Sequence, residues 1–90
     1  IAQWPLFART SENDLRIARD ALARQDRDAL RETLHRIKGA AGMIGAHAIA
    51  RACADGETAV HAGADAPTLS IAIDAVEARL EETARGQASR

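Results

Sequence analysis

Apolar residues recur along the whole chain with the period of an α-helix, and this repeat constrains the fold more than any other feature. Leu15, Ala18 and Leu22 follow i, i+3, i+7, and Leu30, Leu34, Ile37, Ala41 and Ile44 continue at three- and four-residue steps. Ile49, Cys53, Gly56 and Val60 form a third stripe, and Leu69, Ile73, Val76 and Leu80 a fourth. No segment alternates with period two for long enough to compete as a strand. Alanine is the most frequent residue and there is no tyrosine, one Trp and one Phe, a composition that favours helices over sheets.

Stops and starts fall between the stripes. Asp26 is a candidate N-cap, its carboxylate able to accept from the free amides of the next turn. Gly45 stands where a left-handed residue closes a helix. His61 to Pro67 reads as a turn, with Pro67 near the start of the last helix. The first helix opens at Trp4-Pro5, or else Thr10-Ser11-Glu12-Asn13 breaks it and Ser11 caps a new one; the residues leave both open. The tail, Arg85 to Arg90, carries no apolar stripe and is expected to fray. The expectation is an all-α, antiparallel up-and-down four-helix bundle, with helices at about 5–24, 27–44, 47–62 and 66–85 in one domain spanning 1–90. The start at Ile1 rather than Met suggests a module excised from a longer protein.

Charge and cysteine content narrow the function. With 12 basic and 13 acidic residues the net charge is −1 and the pI about 6.3, which argues against a nucleic-acid partner. One cysteine cannot form an internal disulfide and suits a reducing, cytoplasmic setting. No apolar run approaches the roughly 18 residues of a membrane span. A glycine-rich nucleotide loop and paired catalytic carboxylates are both missing, which excludes an ATP-consuming kinase.

The unusual chemistry lies on the second helix. Beside its apolar stripe runs a face of Arg31, His35, Lys38, Gly39 and Gly42, each three or four positions from the next or adjacent to it. Each mid-helix glycine costs about 1 kcal/mol relative to alanine. Either a neighbouring backbone comes close there, or a partner must reach His35 without meeting a Cβ one turn away. A neutral imidazole offers a lone pair able to attack phosphorus, and Lys38 puts an ammonium where a held anion would need neutralising. From the residues alone, His35 and Lys38 also fit an ordinary solvated face. His47 and His61 are not at metal-ligand spacing with His35 or Cys53, so no metal site is expected. Cys53 falls on the apolar stripe as a buried, inert thiol. Trp4 and Phe7 are expected to seal one end of the core, and Glu77, Glu81 and Glu82 to form a solvated face paired with Arg79 and Arg85.

The run Leu34-His35-Arg36-Ile37-Lys38-Gly39-Ala40-Ala41-Gly42-Met43-Ile44-Gly45-Ala46 resembles the signature of histidine phosphotransfer (HPt) domains, in which His-x-x-Lys-Gly surrounds the phosphorylated histidine and a glycine closes the helix. Asp14-Leu15, Ala21-Leu22, Ile49 and Cys53 extend the resemblance over most of the chain. It is most similar to the C-terminal modules of unorthodox hybrid sensor kinases of the BvgS and EvgS type. The resemblance implies that His35 carries the phosphoryl group, that Lys38 steadies it by charge, and that Arg31, Gly39 and Gly42 meet the partner.

It also implies a phosphorelay step without kinase activity of its own, from a receiver-domain aspartate to His35 to a response-regulator aspartate. No cofactor is expected on this chain, with magnesium belonging to the receiver. The isolated domain is expected to be monomeric, without nucleic-acid or direct membrane contact, at the cytoplasmic end of an inner-membrane kinase. The alternative is a non-catalytic helical adaptor that binds receivers without carrying phosphate. Where the family commonly has Leu-Glu this chain has Gly56-Glu57, which predicts a third helix weakened or kinked near Gly56.

Overall fold

The computed structural model describes residues 3–88. Within them lie four helices, α1 (Trp4–Ala23), α2 (Arg27–Met43), α3 (His47–His61) and α4 (Ala66–Ala88), and no strand. Short turns reverse the chain each time, so α1 packs on α2, α2 on α3, α3 on α4, and α4 back on α1. The result is an antiparallel up-and-down bundle measuring 39 × 19 × 18 Å. The stripes turn inward: Leu30, Leu34, Ile37, Ile49, Leu69, Ile73 and Val76 are the largest wholly buried side chains besides the smaller Cys53. Trp4 and Phe7 pack at one end with ring centroids 5.5 Å apart.

All three turns close in the same way. Amides of Asp26, Ala46 and Ala64 reach back to the carbonyls of Ala21, Ala41 and Ala59 at 2.9, 2.8 and 3.0 Å, each across a residue with positive φ. Gly45 (φ 76°) and Gly63 (φ 78°) take this position without a Cβ penalty, whereas Gln25 (φ 59°) takes it with one. The Asp26 side chain accepts from the amide of Ala29 at 3.0 Å and starts α2. Arg27 then donates to the carbonyls of Val60 and Ala64 at 2.7 and 2.8 Å, tying the start of α2 to the end of α3 and the turn that follows it.

One open alternative is decided and three expectations change. The first helix is not broken at Thr10–Asn13, because Ser11 faces the core, 3% exposed, in the middle of α1. The third helix runs unbroken through Gly56, which is buried against Leu34. The fourth does not fray at Arg85 but continues to Ala88, since Ala84 packs on the core and Gln87 and Ala88 flank Trp4 and Pro5 in a shallow groove; Ser89 and Arg90 lie outside the described residues. The acidic side of α4 is solvated as expected, but the pairing of Glu77 differs. Arg79 does bind Glu82, at 2.8 and 2.9 Å, but Glu77 bonds across the bundle to Arg19 at 2.8 Å, and Arg19 also reaches Asp74 at 2.9 Å.

Candidate functional site

His35 stands midway along α2, on the flank away from the Leu30–Leu34–Ile37–Ala41 stripe that anchors the helix. Anchoring is dense because the residues on either side of the stripe are also held: Thr33 is buried with its hydroxyl on the carbonyl of Ala29. The imidazole is therefore presented from a rigid helix, with its side chain 69% exposed. Gly39 and Gly42 follow on the same face, and a Cβ built on either would meet nothing within 4 Å. Of the two explanations for these glycines, close approach of a neighbouring backbone is thus removed and open space remains. Arg31 is exposed one turn before His35.

Glu57 of α3 is the residue that sequence reasoning missed. Its carboxylate, 19% exposed, uses one oxygen on each of two α2 residues: Oε1 lies 3.1 Å from His35 Nδ1 and Oε2 3.0 Å from Lys38 Nζ. A carboxylate only accepts, so Nδ1 carries the hydrogen and donates it. In the neutral ring this leaves the lone pair on Nε2, which makes no hydrogen bond within the described residues. Lys38 is half-buried, and its charge meets Glu57 rather than standing free beside the imidazole. A signal for Glu57 exists in the sequence. Reflecting His35 through the α2–α3 turn at Gly45-Ala46 lands about at Glu57, one residue off the apolar stripe.

A second acid was also passed over. Asp14 of α1, 5% exposed, receives the guanidinium of Arg36 through both carboxylate oxygens at 3.0 to 3.4 Å. Hydrogen bonding and charge from Asp14 raise the Arg36 pKa above its ordinary value. Thus the residues on both sides of the exposed face, Arg36 and Lys38, are tied to neighbouring helices, and His35 projects between them.

The other candidates are placed away from this site. Cys53 lies one turn before Glu57, wholly buried, and burial, followed by the charge of Glu57, pushes its thiol up to about 12, leaving it inert. His47 opens α3 and His61 ends it, both exposed. No group of three His, Cys, Asp or Glu side chains within the described residues could hold a metal ion. Among the described residues, no helix is long and apolar enough to cross a membrane.

An exposed imidazole has Nδ1 held by a carboxylate, an ammonium one turn on and bare helix beyond it, an arrangement in which Nε2 can act as a nucleophile and a large partner can approach. The family model of the Hpt domain matches residues 4–86. The chain belongs to the Hpt domain family. Hpt domains serve histidine phosphotransfer in phosphorelays and interact with receiver domains and response regulators. No curated protein and no solved structure matches the chain. In this Hpt domain the pattern His35-x-x-Lys38-Gly39 occupies the exposed face of α2.

Proposed function

We propose that His35 accepts a phosphoryl group from an aspartyl phosphate on a receiver domain and passes it to an aspartate of a response regulator. The observation that carries this reading is the His35–Glu57 hydrogen bond on an otherwise exposed ring. Nε2 attacks phosphorus in line, the N–P bond forms as the P–O bond to the aspartate breaks, and the carboxylate leaves. The ring then holds a positive charge with Nδ1–H still in place, and the Glu57 carboxylate accepts the hydrogen bond from it and balances the charge. No proton has to leave, so the reverse transfer is the same path read backwards. Lys38, three residues on, can exchange Glu57 for a phosphoryl oxygen.

Gly39 and Gly42 leave room for the partner, and Arg31 adds a cation towards a receiver's acidic pocket, where magnesium belongs. This domain supplies nucleophile and docking surface and no cofactor. We place it in the cytoplasm as a monomeric module of a hybrid sensor kinase of the BvgS and EvgS type.

Incubation with a phosphorylated receiver domain tests the reading. Acid-labile, base-stable phosphate is expected on the wild-type chain and none on His35→Gln, with unchanged circular dichroism because the ring is exposed. Phosphate remaining on the variant, at His47 or His61, would overturn the assignment, and so would a wild-type chain that binds the receiver yet takes no phosphate, the behaviour of an adaptor.

A further inference from the structure

We infer that Gly56 is a positioning residue of the phosphotransfer site, setting the separation of α2 and α3 at which Glu57 reaches both His35 and Lys38. Leu34 immediately precedes His35, and Gly56 immediately precedes Glu57. A Cβ on Gly56 would lie 2.9 Å from Leu34 Cδ1, 3.8 Å from its Cδ2 and 3.9 Å from the Cβ of Ala72 on α4. Carbon atoms pack at about 3.5–4.0 Å, so the first of these distances is not tolerated. The place where α3 leaves no room for a Cβ against α2 is therefore one residue away from each end of the His35–Glu57 bond.

Gly56 stands apart from the other helical glycines. Gly39, Gly42 and Gly86 have nothing within 4 Å of a built Cβ. Elsewhere in the core alanine suffices for close packing, as at Ala18, Ala41 and Ala52. Leu34 is 1% exposed and enclosed by the core, so a methyl group at position 56 forces it out of its rotamer or moves α3 away from α2.

The bonds to Glu57 are 3.0 and 3.1 Å long and fail beyond about 3.5 Å, so a shift of about half an ångström is enough to break them. Lys38 can follow a receding carboxylate on its four-carbon arm. His35 has only two side-chain torsions with which to follow, so its bond is the first to go, and with it the constraint that leaves the lone pair on Nε2.

The test compares wild type, Gly56→Ala, Leu34→Val and the Leu34→Val/Gly56→Ala double variant, in which the colliding Cδ atoms are gone. The imidazole 15N shifts of His35 are read at about pH 8.5, above the usual histidine range near 6.5, together with thermal unfolding and receiver-to-His35 transfer. Gly56→Ala is expected to stay helical, to change the Nδ1–H pattern into a tautomer mixture and to slow transfer about tenfold. The double variant is expected to restore both. A folded Gly56→Ala with the wild-type 15N pattern overturns the proposal, because Leu34 has then given way without moving Glu57.

If Gly56→Ala unfolds, the double variant decides alone. The wild-type pattern in a refolded double variant upholds the proposal, and a mixed pattern or a chain that still fails to fold overturns it. Only the transfer readout rests on His35 being the phosphoryl carrier. If the wild-type chain accepts no phosphate, that functional reading falls, while the 15N shifts still decide whether Gly56 positions Glu57 against His35.

Discussion

Glu57 holds His35 by Nδ1 at 3.1 Å from a helix 22 residues further along the chain. The bond is chemically specific, since it leaves Nε2 as the free nitrogen of a ring that otherwise projects into solvent. It also divides one carboxylate between the imidazole and the ammonium of Lys38, so the two α2 residues are coupled through α3 rather than through each other.

Replacing Glu57 separates its two roles. Glu57→Gln retains an acceptor for Nδ1–H but no charge, so the tautomer is expected to persist while transfer slows. Glu57→Ala loses both and frees Lys38. Hydrogen bonds to charged groups are worth about 1.5–3 kcal/mol, and partial exposure places this one at the lower end, so transfer by Glu57→Ala should fall about tenfold. Stopped transfer assays with a phosphorylated receiver measure both; equal rates in Glu57→Ala and wild type would show that the carboxylate only binds Lys38.

Gly39→Leu exploits the open space on α2. No atom lies within 4 Å of its built Cβ, and leucine is the better helix former by up to about 1 kcal/mol, so the melting temperature should hold or rise. The new side chain stands one turn from His35, where a receiver must approach, and transfer should collapse. Normal transfer in this variant would remove the role of Gly39 in leaving the approach clear.

The first turn offers a stability gain. Gln25 occupies at φ 59° the place that Gly45 and Gly63 fill in the other two turns. Gln25→Gly relieves the left-handed strain at some cost in unfolded-state entropy, for a net gain of about 0.5–1 kcal/mol. In a domain of this size that raises the melting temperature by about 3–6 °C. A lower melting temperature would mean that the Gln25 side chain contributes more than its backbone strain costs.

Asp65 supplies a pH signature. Its carboxylate accepts from the amide of Thr68 at 3.0 Å at the start of α4, and hydrogen bonding from Thr68, side chain before backbone, holds its pKa below the ordinary 3.8. A carboxyl lowered on folding stabilises fully above its unfolded value, and the contribution disappears as pH falls through the lowered one. Asp65→Asn keeps an acceptor that does not titrate. The stability difference between the two proteins, from denaturant titrations, should be flat above about pH 5 and shift against the wild type below 3.8. A difference that stays flat to the acid limit would rule out this carboxylate as a contributor.

The fold was legible because the periodic stripes, the Asp26 cap and the Gly45 stop act locally, within a turn of the residues that signal them. What escaped was set across helices. Glu57 looks like any glutamate on a helix flank until α2 and α3 are paired, and Asp14 reads as surface until Arg36 covers it. Gly56 reads as a weak point in α3 unless Leu34 is known to fill the space, and the last turn of α4 lines a groove with Trp4, some eighty residues earlier in the chain. His35, Lys38 and the two exposed glycines were legible as a set, because all four share one face of one helix.

The two hydrogen bonds from Arg27, one to the carbonyl of Val60 in the last turn of α3 and one to that of Ala64 in the turn after it, change the mechanical character of the half of the bundle that bears the site. With the Gly45 turn at one end and this fastening at the other, α2 and α3 form a closed ring rather than a fork with free tips. A fork splays from its open end and carries the motion inward, whereas a ring must break a tie first. Fraying at the chain ends of α1 and α4 therefore does not by itself open the α2–α3 pair, which is tied at both ends.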